Sequence, residues 1–328
     1  MKKVRIFGTL GPACADEKTL EAMLLEGMDG VRLNLSHMTL IEASGLIGAL
    51  HGAGRACGKT PELMIDMQGP ELRLGALAAP VRLAAGEVLP LAALPFPAAV
   101  LSALRTAPAG QELLLDDGKL LLTLTAPDRL TVVRGGLLES RKSVALPGID
   151  VHTPAVTEAD RRNILRIKEY GVTGVMQPFV RSGADLVEVR QELIKAGCGG
   201  VRLLAKIENA EGLASLESII PHCDEIVIAR GDLGNAMPLW ELPAAQKRIA
   251  KACREAGRDF MVVTQMLDSM THRAVPTRAE VSDIFNAVLD GASSVMVTGE
   301  TASGEYPVEA VRYLARTARE AEKYLEAL

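Results

Sequence analysis

The run GVTGVMQPFVRSGADLVEVRQELIKAGCGGVRLLAKIENAEGLASLESIIPHCDEIVIARGD, residues 171 to 232, decides the fold. Three β-rich stretches, 174–179, 202–208 and 225–230, alternate with two stretches of helical period, 184–196 and 210–220. The strand stretches are nearly continuous apolar runs, as strands covered on both faces require. Strand, helix, strand, helix, strand is the pattern of parallel pairing through right-handed crossovers.

The same rhythm continues outward. Strand candidates lie upstream at 4–10, 30–36 and 63–67, and downstream at 259–265 and 293–299. Helical periods occupy 17–26, 40–55, 158–170, 244–256, 278–289 and 308–325. Eight such alternations predict an α/β protein, a closed (β/α)8 TIM barrel; an open doubly wound sheet is the rival architecture. Asp16 and Thr157 stand where helix N-caps are needed, and Gly27, Gly171, Gly197 and Gly257 follow helices where a left-handed residue ends them. The 328 residues exceed the about 250 of a plain barrel. The surplus lies at 72–142, where no helical period is evident and short apolar runs (113–115, 120–125, 130–133) are separated by Pro and Gly. Asp116-Asp117-Gly118 reads as a hairpin turn there. The expectation is a barrel from 1–71 and 143–328, with a small β domain at 72–142 inserted after strand three as a lid.

Composition narrows the function. Aromatics are 3% and hydrophobics 48%, so aliphatic residues and methionine must fill the core. A net charge of −5 argues against nucleic acid as a partner. No leader-like segment opens the chain and no apolar run approaches membrane-span length, so a cytoplasmic protein without membrane attachment is expected. The five cysteines, Cys14, Cys57, Cys198, Cys223 and Cys253, show neither zinc spacing nor a disulfide framework. His51, His152, His222 and His272 form no metal-like spacing, and Trp240 reads as packing.

In a barrel the reactive groups sit at the C-terminal ends of the strands. Those ends are polar here: Arg32-Leu33-Asn34-Leu35-Ser36, Asp66, Lys206-Ile207-Glu208, Arg230-Gly231-Asp232, Thr264-Gln265 and Gly299-Glu300-Thr301. Lys206 and Glu208 are two apart and share a face. Glu208 and Asp232, from neighbouring strands, could hold a hard divalent ion, or Lys206 and Glu208 could form only a structural ion pair. Arg32, Asn34 and Ser36 share a face as well; Arg32 suits a phosphate, and Asn34, Ser36 and Asp66 are oxygen donors for a cation, or else a polar plug of the barrel mouth.

Several motifs, running in order along nearly the whole chain, resemble the pyruvate kinase family. They are Thr9-Leu10-Gly11-Pro12-Ala13, Arg32-Leu33-Asn34-Leu35-Ser36-His37, Asp66 with Gly69-Pro70-Glu71-Leu72-Arg73, Ala205-Lys206-Ile207-Glu208-Asn209-Ala210-Glu211-Gly212, Ala229-Arg230-Gly231-Asp232-Leu233-Gly234, Thr264-Gln265-Met266-Leu267-Asp268-Ser269-Met270, Pro276-Thr277-Arg278-Ala279-Glu280 and Gly299-Glu300-Thr301-Ala302-Ser303-Gly304-Glu305-Tyr306-Pro307. The resemblance implies a glycolytic phosphotransferase acting between phosphoenolpyruvate and ADP to give pyruvate and ATP.

The resemblance also implies roles. Glu208 and Asp232 would hold Mg2+ or Mn2+, and Lys206 and Arg32 would grip the transferring phosphoryl group. Thr264 would lie where the enolate is protonated, and the backbone of Ala229, Arg230, Gly231 and Asp232 would meet the substrate carboxylate. Asn34, Ser36, Asp66 and the main-chain carbonyl of Met67 would bind K+, with Glu71 tied to potassium dependence. Arg73, Lys142 and His37 would approach the nucleotide. A homo-oligomer is possible.

The chain also departs from the family pattern. Gln68 stands where a lysine is usual, Glu42 where an aromatic is frequent and Met38 where a glycine is usual. Ser143 and Ala145 replace a glycine and an asparagine, and Asn235-Ala236-Met237 replaces a stretch that usually carries a glutamate. The family's C-terminal regulatory domain is expected to be absent. These departures keep two other functions open: a metal-dependent lyase or aldolase that stabilises a pyruvate enolate, and a phosphoenolpyruvate-binding protein with little turnover.

Overall fold

A computed structural model describes residues 3–36, 38–116, 118–149, 151 and 153–328. His37, Asp117 and His152 lie outside the described residues. The chain divides into two compact units, one of Met1–Gly69, Ala155–Gly234 and Trp240–Leu328, the other of Pro70–Pro154 and Asn235–Leu239.

The larger unit is a closed barrel of parallel strands: β1 (Arg5–Thr9), β2 (Gly30–Asn34), β3 (Glu62–Asp66), β4 (Gly174–Gln177), β5 (Arg202–Ile207), β6 (Glu225–Ala229), β7 (Asp259–Val263) and β8 (Ser294–Met296). Each pairs with its sequence neighbour, and β8 closes on β1. The helices that follow the strands are α1 (Glu17–Leu25), α2 (Ser44–Ala56), α3 (Glu158–Ile164), α4 (Gly183–Lys195), α5 (Ala210–Ala214, continued by Leu216–Ile219), α6 (Leu242–Glu255), α7 (Arg278–Leu289) and α8 (Pro307–Glu326). The expected TIM barrel is the fold observed. No helix among the described residues is long and apolar enough to cross a membrane.

Helix ends follow their local chemistry. The Asp16 carboxylate accepts from the Thr19 amide at 2.9 Å, and Thr157 with Asp160 forms a reciprocal capping box. On α8 the buried face is Ala310, Val311, Leu314, Ala315, Thr317, Ala318 and Ala321. Such small side chains let α8 lie close to α1 and α7.

The barrel interior is layered by the period-two alternation of each strand. The middle is apolar: Phe7, Met64, Met176, Leu204, Val227, Ala229, Met261, Val263 and Met296 form one fully enclosed cluster. One layer below, at the N-terminal ends, Arg5 and Arg202 meet Glu62 and Glu225. Arg5 bonds Glu62 at 3.3 Å and Glu225 at 2.8 Å; Arg202 bonds Glu62 at 2.6 Å and also Glu225. Ser293 and Ser294 donate to Glu225 from β8 and the residue before it. The Arg5 guanidinium also lies 5.6 Å from the Phe7 ring centroid, joining floor to middle.

Gly30 makes room for this packing. It is level with Phe7 on one side and Glu62 on the other, and a Cβ there would come within 2.9 Å of the Phe7 ring and 2.5 Å of the Glu62 carbonyl oxygen. The backbone oxygen cannot swing aside, so Gly30→Ala is expected to destabilise the barrel by about 1–3 kcal/mol. Urea unfolding measures this, and an unchanged midpoint and slope would show that the strands yield freely.

The smaller unit is built on an antiparallel sheet in the order Val144–Ala145, Glu112–Leu115, Leu120–Ala126, Arg129–Arg134, Val88–Pro90, with a second pair Val81–Leu83 and Gly136–Leu138. The strands either side of the expected hairpin turn pair with Leu115 level with Leu120. Leu113, Leu115, Leu122, Leu124, Leu130 and Val132 alternate into its core. A helix at Ala98–Thr106 also belongs to this unit, in a segment where the sequence predicts none. It is short, follows Pro95 and Pro97, has no polar N-cap, and buries only Val100 and Leu104, four residues apart. Two anchors on one face are too few for periodicity to reveal.

Candidate active site

The charged groups above the apolar middle come from β2, β3 and the end of β5. Arg32 donates to Asp66 from Nε at 2.8 Å, and its Nη2 lies 2.6 Å from the same carboxylate oxygen. Lys206 Nζ lies 3.0 Å from Asp66 and 2.9 Å from Glu208. The other oxygen of Glu208 accepts from the Phe179 amide at 2.8 Å. Phe179 has φ +50°, so the turn after β4 is bent to aim that amide.

The burial of these four groups is unequal. Asp66 and Glu208 are 1% and 2% exposed, whereas the Arg32 and Lys206 side chains keep 14% and 13%. The acids are sunk into the barrel, and the two cations are the more exposed members of the group. Burial by itself would push the Lys206 pKa down, but the charges of Asp66 and Glu208 outweigh it and hold the ammonium above its ordinary value. Burial would likewise raise Asp66, but Lys206 and Arg32 hold it below the usual carboxylate range. Lys206 and Asp66 are therefore both charged at neutral pH.

The other expected cation-site donors sit beside this quartet. Asn34 is level with Asp66 in the sheet, and its side-chain oxygen accepts from the Ser36 amide at 3.0 Å. Met67 is buried, and its amide donates to the Met176 carbonyl at 3.1 Å; its own carbonyl lies in the next peptide, whose Gln68 amide donates to Asp160. Glu208 follows Ile207, which is level with Ile228, so Glu208 stands beside Ala229 at the top of β6. Arg230, Gly231 and Asp232 form the first turn of a short helix, Arg230–Asn235, and Asp232 is half-buried. Glu208 and Asp232 thus belong to adjacent strand ends and are of the oxygen-donor type that a divalent ion takes, while the two Glu208 oxygens are engaged by Lys206 and the Phe179 amide. No group of three His, Cys, Asp or Glu side chains suited to a metal occurs among the described residues.

β7 ends in an unusual turn. Thr264 has φ +79° and Gln265 φ +54°, two consecutive non-glycine residues in the left-handed region. The Arg230 guanidinium holds the Thr264 carbonyl through Nη2 at 2.8 Å and Nε at 3.2 Å. Gly231 lies against Thr264, whose Cγ2 would be 3.1 Å from a Cβ at that position. Farther along the loop, the Leu267 amide donates to the buried Glu300 at 3.0 Å, and the Ser269 amide to Glu280 at 2.7 Å.

Arg73 and Lys142 belong to the smaller unit and come together there. The Leu74 amide donates to the Lys142 carbonyl, and Arg73 donates to the Arg141 carbonyl at 3.0 Å. Arg73 pairs with Glu71 at 2.8 Å, and Lys142 with Asp116 at 3.1 Å. Among the departures, Glu42 accepts from the Thr39 amide at 2.7 Å as a local cap, and the Gln68 amide donates to Asp160 at 2.8 Å. Sequence reasoning overlooked the Phe179 amide, Asp160 and Asp283. Of these, only Asp160 carried a local signal, three residues after a capping threonine.

With the geometry in hand, comparison with known proteins is specific. The family described as "Pyruvate kinase, barrel domain" matches residues 1–311. A pyruvate kinase of Geobacillus stearothermophilus is 36% identical over 99% of this chain and 58% of its own length. One of Mycobacterium intracellulare is 38% identical over 96% of this chain and 69% of its own length, and one of Chlamydia pneumoniae is 36% identical over 98% and 69%. The chain thus spans about 58% of the length of the Geobacillus relative. On the family match, the identities and the barrel itself, the chain belongs to the pyruvate kinase family through its barrel domain.

Proposed function

We propose that the protein is a pyruvate kinase-type phosphotransferase, moving the phosphoryl group of phosphoenolpyruvate to ADP in the cytoplasm. The observation that carries this reading is the pair of cations, Arg32 and Lys206, converging within 3.0 Å of one buried carboxylate and more exposed than it. Phosphoryl transfer needs charge neutralisation and positioning more than covalent chemistry. In this reading Arg32 and Lys206 hold the transferring group, and the sunken Asp66 and Glu208 keep Lys206 protonated and in place.

Glu208 and Asp232 would hold Mg2+ or Mn2+, which when bound neutralises charge on the phosphoryl and enolate oxygens. Asn34, Ser36, Asp66 and the Met67 carbonyl would hold K+. Thr264 would stand beside the enolate carbon that takes up a proton after transfer. The backbone of Ala229–Asp232 would meet the substrate carboxylate, and Arg73 and Lys142 would serve the nucleotide phosphates. The expected result is pyruvate formation from phosphoenolpyruvate that needs ADP and Mg2+ and is stimulated by K+, read in a coupled assay. Pyruvate release that is equal without ADP, or no release at all, would overturn the reading.

A further inference from the structure

We propose that Asp283 is a positioning residue, acting through Arg230 to lock the peptide of Thr264 in its left-handed conformation at the barrel mouth. This rests on the phosphotransferase reading for its kinetic consequence and on the geometry alone for its structural one. Thr264 is β-branched, and such a residue at positive φ is a strained outlier. A second left-handed residue, Gln265, follows at once. Two such residues in series keep this conformation only if their surroundings hold them there.

The hold is visible. Arg230 places two donors on the Thr264 carbonyl and its Nη2 3.0 Å from the Met266 sulfur. Its remaining terminal nitrogen, Nη1, reaches Asp283 on α7, 2.8 Å from one carboxylate oxygen and 2.7 Å from the other. The planar fork suits this division, because one edge of the guanidinium addresses the carbonyl while Nη1 takes the carboxylate. A helix on the outside of the barrel thereby fixes the orientation of a peptide at its catalytic end. The Thr264 hydroxyl hangs from that peptide, so its direction depends on a carboxylate that touches no substrate.

The test uses Asp283→Asn and Asp283→Ala in the full chain. For both, kcat is expected to fall about 10- to 100-fold while KM for phosphoenolpyruvate stays within about twofold, as expected when an orienting contact is lost and binding is not. The methyl resonance of Thr264, read by NMR in threonine-labelled ligand-free protein, is expected to shift or split. Adding Gln265→Gly to Asp283→Asn is expected to restore part of kcat, because glycine takes the left-handed conformation without strain. Wild-type kcat with an unmoved Thr264 resonance would overturn the proposal. So would a fall in melting temperature and kcat with that resonance unmoved and no rescue by Gln265→Gly, the pattern of a merely structural ion pair. If the wild type shows no ADP-dependent turnover but the Thr264 resonance moves in the variants, the reaction assignment fails and the clamp stands.

Discussion

Lys206→Met is expected to reduce phosphoryl transfer by about 1,000-fold or more and, in the ligand-free protein, to lower stability by about 3–5 kcal/mol at neutral pH. In the proposed phosphotransferase the first effect follows from removing a cation that would hold the transferring group. The second follows from what lies beneath it, because Asp66 and Glu208 are almost wholly buried and share the one ammonium. Methionine fills the volume and leaves both acids without that partner.

The pH dependence gives the loss a signature. In the wild type Asp66 has a depressed pKa, so its contribution is present above the unfolded value and is lost as pH falls through the folded one. Without Lys206, burial is opposed by Arg32 alone, and the folded pKa of Asp66 rises. The melting-temperature gap between wild type and variant should therefore be widest near neutral pH and narrow on acidification. A gap that stays constant from neutral pH down through the ordinary aspartate value of 3.8 would show that lost packing, not stranded charge, is responsible. Full turnover by the folded variant would remove Lys206 from the chemistry.

The other large effect lies at the opposite end of the barrel. Glu225 is fully buried and takes contacts from Arg5, Arg202, Ser293 and Ser294. Glu225→Ala leaves Arg5 and Arg202 to share Glu62 alone and is expected to destabilise the fold by about 2–3 kcal/mol. Glu225→Gln, which keeps an acceptor but no charge, should fall between the two. Activity per folded molecule should stay near wild type, since the apolar layer separates this floor from the mouth. Denaturant unfolding decides the matter, and a change below about 1 kcal/mol would mean that the network merely offsets its own desolvation.

The sequence made one half of the site legible and hid the other. Lys206 and Glu208 are two residues apart on a strand, so their common face follows from the period of two. The convergence of Arg32 and Lys206 on Asp66 does not follow from spacing. Asp66 is on β3 and Lys206 on β5, and β4 between them offers no charged side chain, so the contact reaches across one intervening strand. The sequence left Lys206 with two readings, a phosphate ligand or the partner of Glu208. The structure adds Asp66, and with it a stability role that no motif records.

Arg230 shows the same limit. Its place in a motif suggested a backbone at the substrate carboxylate, while its side chain is occupied with Thr264 and with Asp283, 53 positions away. Positive φ at Thr264 and Gln265 has no sequence signal either, because both types normally avoid it. In the smaller unit the alternating leucines announced the sheet, but two prolines and a two-residue anchor concealed the helix at Ala98–Thr106.

The middle of the barrel has a mechanical consequence. Four of its occupants, Met64, Met176, Met261 and Met296, are unbranched thioethers that change shape at little cost. Beneath them is an ionic ring that resists deformation. The molecule is thus stiff at its base and compliant halfway up, so side chains at the rim can rearrange around a visiting anion while the hoop of strands stays shut.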